Sequence, residues 1–579
     1  MAAGKRKTRP KKTVARQKTK MEKLGFVDTG VSVRDLRKAL KKGQEYAQNE
    51  EWAKAMPELL IAWDAMPEDL AVLTLLSHSL SQLGVRDKAV MVLERTLSIH
   101  GATPEVMGIM LTLAQEMAMP EVAIKLCMAL IEHDPHHVNH YVNLATAYTG
   151  TGELDKSIDM LQSILPLFPE EPGLWNVLAT QVRSRDGVDA ALVFFEEAMR
   201  LAPNDFKILS NYGHSLLMKG DWDKALELDL RSIEANPNSP EPRLGAAQLL
   251  FYAGRLEEAW EHYEFRLSTR RSRSQTQIYT HELPRWKGQS LEGKTILVTA
   301  EQGIGDEIMF GNILPFIYDR AEKLVIGCDA RLVDMYQRRF PNAYIERYYD
   351  KIVSGYRYRS FPKAQYLHKE GEMVIDYAMP VCSLPMYDWR KTSDLKPHPE
   401  GFLKADPKRL ADIKERFAAM GSKPKVALAW RSGLMGSERS YIYSSVEVMG
   451  PLKDLSKKVD FINIQYGDVT EEIKTAKEMH DITIHNFDDI DLKQDIEANL
   501  AIMDACDLVI SSCSAPGQFS MAVGAPTILM ASTKQWPVFG GGDRMPFAKE
   551  GELIIGDEIT DWDDILNRVA RRATEKLGL

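Results

Sequence analysis

The chain has 579 residues, a length that predicts several folded domains. Its residues are 44% hydrophobic and 27% charged, values ordinary for globular proteins, which exclude a fibrous or wholly disordered chain. The formal net charge is −9, and no apolar run reaches the roughly 18 residues that a membrane-spanning helix needs. The cysteines are scattered and form no Cys-x-x-Cys pair, so we expect a reducing, cytoplasmic location without a zinc ribbon or disulfide scaffold.

Residues 1–30 are predicted to be a disordered basic tail. Residues 1–20 contain nine lysines and arginines and no acidic residue, so the rest of the chain is more acidic than the whole. The segment has no apolar periodicity from which a core would form. Such a tail is compatible with contact to nucleic acid or an anionic membrane surface, or with a purely solvated role. We favour the solvated role, because no aromatic residues are interleaved with the charges.

A 34-residue period runs without insertion through residues 36–273. A small residue stands at the twentieth position of all seven units and at the eighth position of six, the third having Leu111 there, as two closely crossing helices require. A proline or glycine stands at position 32 of the first six units, where the second helix ends. The period resembles that of tetratricopeptide (TPR) repeats, and it predicts seven helix pairs in an α-superhelix with a concave, partner-binding groove. The twentieth position is held in turn by Ala55, Ala89, Ala123, Ser157, Ala191, Ala225 and Ala259.

Two asparagines are predicted to face this groove. Asn143 and Asn211 occupy the sixth position of their repeats. The arrangement is similar to the asparagine ladder with which O-linked N-acetylglucosamine transferases hold a substrate backbone. Because two of seven repeats carry the residue, a peptide-groove contact and plain surface polarity both remain open.

A histidine cluster at the junction of two repeats is interpreted as a solvated turn. No cysteine or carboxylate completes a convincing ligand set, so we predict no metal site. The four residues are His133, His136, His137 and His140.

The second half of the chain is predicted to be α/β. Runs rich in valine and isoleucine alternate with helical segments, which indicates parallel sheets covered by helices on both faces. We expect two Rossmann-like lobes, residues 283–395 and 407–579, joined by the proline-rich segment Leu395–Pro407. The segment Arg347–Lys369 is expected to be an irregular loop. The predicted strands are Thr295–Thr299, Leu324–Gly327, Met373–Ile375, Val426–Trp430, Phe461–Gln465, Ile482–Ile484, Leu508–Ser511 and Thr527–Met530.

The loop after the first of these strands is the first candidate site, because ligands of parallel sheets bind at the carboxyl ends of strands. Gly303 and Gly305 allow a tight turn and close approach of a ligand. Asp306 then stands at a helix N-terminus, where its carboxylate is either a general base for an acceptor hydroxyl or a helix cap.

A second candidate loop begins the other lobe. Arg431 and Ser432 follow a predicted strand, and Arg439 comes shortly after. Arginine makes paired, charge-assisted hydrogen bonds to phosphates, so this loop is either a diphosphate site or a surface ion pair.

The third candidate loop lies between a strand and a helix in the same lobe. Ser514, Gly517 and Gln518 are placed where free backbone amides at a helix N-terminus bind anions. Capping of the helix is the alternative interpretation.

The loops, in this order, resemble those of TPR-fused glycosyltransferase-like proteins of bacteria. The resemblance is carried by Glu301–Asp306, Pro284–Gly288, Leu256–Arg266 and Ser383–Pro385. Proteins of this kind are related to the ADP-heptose:lipopolysaccharide heptosyltransferases and, more distantly, to the O-linked N-acetylglucosamine transferases. The resemblance implies a GT-B fold, with Asp306 as catalytic base.

The resemblance also implies where the nucleotide-sugar donor binds, and this chain departs from the family at two of those positions. Arg431 and Ser432 fall near the donor phosphates of the family. The family's phosphate-binding turn often carries an Asp and a His where this chain has Cys513 and Gln518, while the hydroxyl is kept at Ser514. These departures put a heptose donor in question.

The sequence therefore predicts an inverting, metal-independent glycosyltransferase that uses a nucleotide sugar and takes a protein acceptor, with flagellin as one candidate, from the TPR groove. The alternative is a non-enzymatic TPR adaptor whose α/β half is a degenerate glycosyltransferase-like domain. The sugar, the nucleotide, the acceptor and the oligomeric state are not specified by the sequence, and nucleic-acid binding is the least favoured class.

Overall fold

The computed structural model of the chain describes residues 32–49, 51–272, 275–353, 355–398, 400–433, 443–556 and 561–579. The predicted basic tail and Arg439 lie outside these ranges. The chain forms two compact units, the first running to Asn211 and including Ile352–Gly355, the second containing Tyr212–Lys351 and Tyr356–Leu579. Within the described ranges, no helix combines the length and apolar character needed to cross a lipid bilayer.

The predicted repeats are confirmed as helix pairs. Between Val33 and Tyr263 the described chain contains seven pairs joined by short turns, one for each 34-residue period. Their bounds are α1 Val33–Gln48, α2 Trp52–Ala65, α3 Leu70–Gln82, α4 Arg86–His100, α5 Pro104–Glu116, α6 Pro120–His133, α7 Val138–Gly150, α8 Leu154–Ile164, α9 Pro172–Asp186, α10 Val188–Leu201, α11 Phe206–Lys219, α12 Trp222–Ala235, α13 Pro240–Tyr252 and α14 Leu256–Tyr263.

Small residues let the two helices of each pair cross closely. The residues at the twentieth position, among them Ala55, Ala191 and Ala259, are fully buried. At the eighth position of the first repeat, a Cβ added to Gly43 would lie 2.8 Å from the Leu59 side chain. Close packing of this kind leaves no room for larger side chains, which explains why the period is visible in the sequence.

The described chain also forms three sheets, whose strands belong to the second unit apart from the last two residues of β5. The first sheet has strand order β4-β3-β2-β7 and the second has order β10-β9-β8-β11-β12-β13, with parallel pairing throughout both. A third, smaller sheet has order β1-β6-β5. The strands are β1 Gln277–Tyr279, β2 Thr295–Thr299, β3 Lys323–Cys328, β4 Tyr344–Arg347, β5 Tyr349–Val353, β6 Tyr356–Ser360, β7 Tyr377–Pro380, β8 Lys425–Ala429, β9 Asp460–Asn463, β10 Ile484–His485, β11 Leu508–Ser512, β12 Thr527–Ala531 and β13 Gly551–Ile555.

Helices connect the parallel strands, as the alternating pattern predicted. The connecting and flanking helices of the described chain are α15 Ile304–Gly311, α16 Leu314–Arg320, α17 Val333–Arg339, α18 Pro362–Lys369, α19 Pro385–Asp388, α20 Pro407–Met420, α21 Lys453–Ser456, α22 Thr470–His480, α23 Ile496–Ala505, α24 Ala515–Ala522 and α25 Trp562–Leu577.

Two local expectations were wrong. The strand expected at Met373–Ile375 lies instead at Tyr377–Pro380. Met373 and Ile375 belong to the coil before this strand, and their side chains are buried in a core cluster with Leu297 of β2, which gives the coil an apolar pattern like that of a strand. The segment Arg347–Lys369 is not an irregular loop. It forms β5, β6 and α18, whose alternating Tyr and Arg residues obscure the usual strand pattern.

The order of the strands creates a switch point in each large sheet. In the first sheet the chain proceeds from β2 to β3 and β4, then crosses to β7 on the other side of β2. In the second sheet it proceeds from β8 to β9 and β10, then crosses to β11 on the other side of β8. The loops after β2, β7, β8 and β11 therefore diverge from one another and leave crevices, which is where parallel sheets bind ligands.

The last helix pair shares its core with the α/β region. The Phe251 ring lies 5.3 Å from Phe539 between centroids, and the Trp260 ring lies 6.1 Å from Phe310. The Trp260 indole also donates a hydrogen bond of 2.7 Å to the carbonyl of Trp389. Repeat seven is therefore packed into the α/β body of the second unit by buried aromatic side chains.

Candidate functional site

The loop after β2 places Asp306 in the first turn of α15. The Gly303 amide donates a hydrogen bond of 3.2 Å to Oδ2 of Asp306, so the carboxylate caps its own helix. Asp306 is partly exposed. Burial of the Asp306 carboxyl raises its pKa, and the nearby negative charge of Glu301 raises it further. The hydrogen bond from the Gly303 amide opposes this rise. A carboxyl with a raised pKa at a strand end is suited to act as a general base.

Glu301, at the start of this loop, is held by a buried arginine from the end of repeat seven. Arg266 donates to both carboxylate oxygens of Glu301 at 2.9 and 2.7 Å, and both side chains are 3% exposed. The Cys382 amide, after β7, donates to the same carboxylate at 3.2 Å. Burial opposes ionisation of the guanidinium, but the charges of Glu301 and Glu264 outweigh it and raise the pKa of Arg266. The Glu301 carboxylate therefore joins the loops after β2 and β7 to the end of repeat seven.

Two further side chains fix the same loop. Arg359, on β6, donates to the carbonyls of Ala300 and Glu301 at 3.0 and 3.4 Å. Gln302 donates to the Tyr263 hydroxyl at 2.9 Å, and its own φ is +21°, at the border of the left-handed region. The loop that leads to Asp306 is thus held both by a β-strand and by the last repeat.

The residue after Asp306 is a buried carboxyl that keeps its proton. Glu307 is 4% exposed, and burial, with the Asp329 charge, raises its pKa to about 8. The Asp329 amide is 3.4 Å from both of its oxygens, a long contact that provides little stabilisation of a negative charge. Glu307 is therefore mostly neutral at pH 7 and was not singled out by its position in the sequence.

The loop after β8 holds Arg431 in an ion pair. Arg431 Nη2 is 2.8 Å from Glu472, and the Trp430 indole donates to the same carboxylate at 2.8 Å. The backbone amides of Trp430 and Arg431 both donate to Gln465 Oε1. Ser432 follows in the loop, and its carbonyl accepts a bond from Arg431 at 3.3 Å. To bind the phosphate of a nucleotide sugar, the Arg431 guanidinium would have to break its ion pair with Glu472.

The loop after β11 brings two hydroxyls to the start of α24. The Ser512 and Ser514 hydroxyl oxygens are 3.0 Å apart, and Ser514 is the residue immediately before the helix. Oε1 of Gln518 is buried and has no hydrogen-bond partner among the described residues. Gly517 is required by packing, since a Cβ there would lie 2.5 Å from Leu529. The loop combines hydroxyls, a helix N-terminus and an unsatisfied acceptor.

The first and third loops meet each other. A Cβ added to Gly305 would lie 3.2 Å from Cα of Ala515, so the first turns of α15 and α24 are in contact. Asp306 is adjacent to one side of this contact, and Ser514 is adjacent to the other. The structure therefore brings Gly303, Gly305 and Asp306 next to the residues predicted to bind an anion.

The two groove asparagines bond to neighbouring repeats. Asn143 Oδ1 accepts from Gln115 at 3.2 Å, and Asn211 Nδ2 donates to Asn176 at 3.1 Å. In the same series, Gln181 donates to Thr149 at 2.6 Å. These bonds link the first helices of successive repeats and leave the asparagines partly exposed.

No metal centre is evident in the ranges that the structure covers, where no three His, Cys, Asp or Glu side chains are grouped suitably for an ion. In the histidine cluster, the rings of His137 and His140 stack at 4.2 Å. At Cys513, which stands where the family's phosphate-binding turn often has an Asp, burial raises the pKa of the thiol to about 12 and favours its protonated form at neutral pH.

The chain is similar to a curated protein over most of its length. Protein FlbA of Caulobacter vibrioides is 32% identical over 467 residues, which cover 79% of this chain and 76% of that protein. No family model matches the chain. Among solved structures, a tetratricopeptide repeat protein from Parabacteroides merdae is 15% identical and covers 40% of this chain and 91% of its own, with a TM-score of 0.32. A thermophilic TPR protein of Thermus thermophilus is 21% identical and covers 30% and 98%, with a TM-score of 0.26.

Proposed function

The chain belongs to the family of protein FlbA, and we propose that it is a glycosyltransferase of the GT-B type that uses a nucleotide sugar to modify a protein acceptor held by its TPR repeats. The observation that carries the proposal is the meeting of α15 and α24 at Gly305 and Ala515. At this contact the Asp306 carboxyl, whose pKa is raised, lies beside the N-terminus of α24 and the hydroxyls of Ser512 and Ser514. Asp306 follows the switch-point strand β2 of the first sheet, and the two serines follow the switch-point strand β11 of the second. A cytoplasmic location and a flagellin acceptor are part of the proposal.

In the proposed reaction, Asp306 takes the proton of an acceptor hydroxyl. The oxygen then attacks the anomeric carbon of the sugar while the bond to the nucleotide phosphate breaks, in a single displacement that inverts the anomeric centre. The first-turn amides of α24 and the Ser514 hydroxyl would stabilise the negative charge that develops on the departing phosphate. Gln518 Oε1, which lacks a partner among the described residues, would accept a hydrogen bond from the bound donor.

A second candidate function is that of a non-enzymatic TPR adaptor. The Arg431–Glu472 pair favours it, because the guanidinium that a donor phosphate would need is already neutralised by a carboxylate. In this case the α/β lobes would support the repeats, and binding of a partner to the groove would be the whole function.

Thermal unfolding distinguishes the glycosyltransferase from the adaptor. The protein is unfolded in the presence of CMP, UDP, GDP and ADP, each as the free nucleotide and as a nucleotide sugar. A ligand present at 100 times its Kd stabilises the folded state by about 2.7 kcal/mol. For the transferase we expect a rise in Tm with one nucleotide, reduced in Ser514→Ala and kept in Ser163→Ala, which changes an exposed serine on α8. The absence of a rise with every nucleotide would favour the adaptor.

A further inference from the structure

We propose that Arg266 and Tyr263, at the end of the last TPR repeat, are positioning residues for the loop that carries Asp306. The inference deepens the proposed function and rests on it for its catalytic meaning. It assigns repeat seven to the active-site structure, in addition to any role in holding a partner.

Arg266 connects three separate segments through all of its donors. Arginine has five N–H groups. Two donate to Glu301 after β2, one to the Tyr263 carbonyl at 3.1 Å, one to Glu264 at 2.9 Å and one to the Ser383 hydroxyl at 2.5 Å. Lysine has fewer donors and no planar fork, so it would not reproduce this set.

The surrounding groups make the connection rigid. The Ser383 hydroxyl also donates to Glu264 at 2.6 Å, and Arg285 forms an ion pair with the same carboxylate. The Arg266 guanidinium lies 4.4 Å from the centre of the Tyr263 ring. Because the pair of Arg266 and Glu301 is buried, removal of one partner would leave an uncompensated charge in the interior.

Tyr263 holds the next residue of the loop. Its hydroxyl accepts from Gln302, whose backbone has a φ of +21°. Gly303 and Asp306 follow within four residues, so the ring and the guanidinium of repeat seven fix the two residues that precede the capping turn. A displacement of these anchors would move the Asp306 carboxylate relative to Ser514, and small displacements of a catalytic group lower the rate strongly.

The test is peptide-resolved amide hydrogen exchange on the full chain. Tyr263→Phe removes the hydroxyl and keeps the ring, and we expect exchange of amides 302–306 to rise roughly fivefold, the effect of losing one hydrogen bond. Arg266→Lys should raise exchange in residues 300–306 by more. The matched control is Tyr141→Phe in repeat four, which removes a tyrosine hydroxyl that donates to the Pro135 carbonyl. It should leave residues 300–306 unchanged.

If Arg266→Lys fails to fold, the proposal is tested by Tyr263→Phe and Gln302→Leu, which remove the two partners of the hydrogen bond between repeat seven and the loop. Unchanged exchange in residues 300–306 in both of these folded variants would overturn the proposal. With an active donor identified, Tyr263→Phe should lower kcat several-fold with little change in KM, because the loop positions the base and not the sugar. If the wild-type chain transfers no sugar but the exchange rises as expected, the positioning holds and the proposed function fails.

Discussion

Gly305 and Ala515 stand in backbone contact where the first turns of α15 and α24 meet. The two residues are 210 positions apart in the sequence, yet a Cβ added at position 305 would lie 3.2 Å from Cα of Ala515, closer than side chains usually approach a neighbour. This contact joins the candidate base of one sheet to the candidate anion site of the other, and it is the most direct structural link between the predicted loops.

Substitution Gly305→Val should separate the two helices. Extra atoms in a packed interior cost about 1–3 kcal/mol, so we expect a lower Tm and weaker nucleotide binding. The control is Gly108→Ala on α5, where an added Cβ meets nothing within 4 Å, and which should raise helix stability slightly. Equal Tm values for Gly305→Val and the wild type would contradict the contact.

Substitution Glu472→Gln should release Arg431 for phosphate. The variant keeps an acceptor for the Trp430 indole and removes the negative charge that pairs with the guanidinium. We expect the Kd for the nucleotide found in the panel to fall about tenfold, as for a charge-assisted hydrogen bond.

Glu471→Gln, an exposed neighbour on α22, is the matched control for this prediction and should leave the Kd unchanged. The same Kd in both variants, measured by calorimetry, would show that Arg431 does not contact the donor.

Substitution Asp306→Asn should abolish proton abstraction. We expect kcat to fall by roughly 10²–10⁴-fold, because an amide cannot accept the acceptor's proton. In the wild type, kcat should rise with pH through the raised pKa of Asp306, since the base form is the ionised one. Asp319→Asn, an exposed acid on α16, should retain full activity, and near-normal transfer by Asp306→Asn would refute the assignment.

Substitution Asp229→Asn should stabilise the sixth repeat at alkaline pH. Asp229 is 4% exposed between the backbones of Gly213 and Gly245, and burial raises its pKa to about 8. The unfolded carboxyl ionises near its ordinary value, so the folded state binds more protons and wild-type stability falls as pH rises from about 4 to 8. The variant loses this dependence.

The advantage of Asp229→Asn should therefore grow by roughly 3–4 kcal/mol between pH 5 and pH 8. Thermal unfolding of both proteins at the two pH values measures it. Asp223→Asn, an exposed acid on the same helix, should show no such growth, and a pH-independent difference for Asp229→Asn would disprove a buried, protonated carboxyl.

Replacement of Asn143 and Asn211 by alanine tests the groove. If these amides hold an acceptor backbone, the double variant should bind a bacterial flagellin monomer about 5–30-fold more weakly while nucleotide binding is kept. Asn567→Ala, on the exposed face of α25, serves as the control. Unchanged flagellin affinity, measured by surface plasmon resonance, would restrict the two asparagines to bonds between repeats.

Regular packing was readable from the sequence, and long-range pairing was not. The repeats could be predicted because close helix crossing demands a small residue at the same place seven times, as at Ala55 and Ala259. The strands β2 and β8 could be predicted because strands buried on both faces are continuously apolar. The strand β6 was missed because Tyr and Arg alternate along it and its one buried side chain is the charged Arg359, a pattern that also suits a polar surface.

The candidate site shows the same division. Asp306 and Ser514 could be placed at strand ends, because the carboxyl ends of parallel strands are known ligand positions. The partner of Glu301 could not be identified, since Arg266 lies 35 residues away in what the sequence presents only as the end of a repeat. Nor does local sequence indicate that Glu472 neutralises Arg431, because that pairing depends on how α22 packs beside β8.

The shared aromatic core of repeat seven has a practical consequence for changing the partner of this protein by exchanging repeats. Trp260 and Phe251 form part of the interior around Phe310 and Phe539, so a chimaera spliced after Tyr263 would expose that interior to water. A foreign repeat array should instead be joined upstream of Pro240, so that α13 and α14 stay with the α/β region. Six of the seven repeats can thus be exchanged together, and the seventh has to be kept.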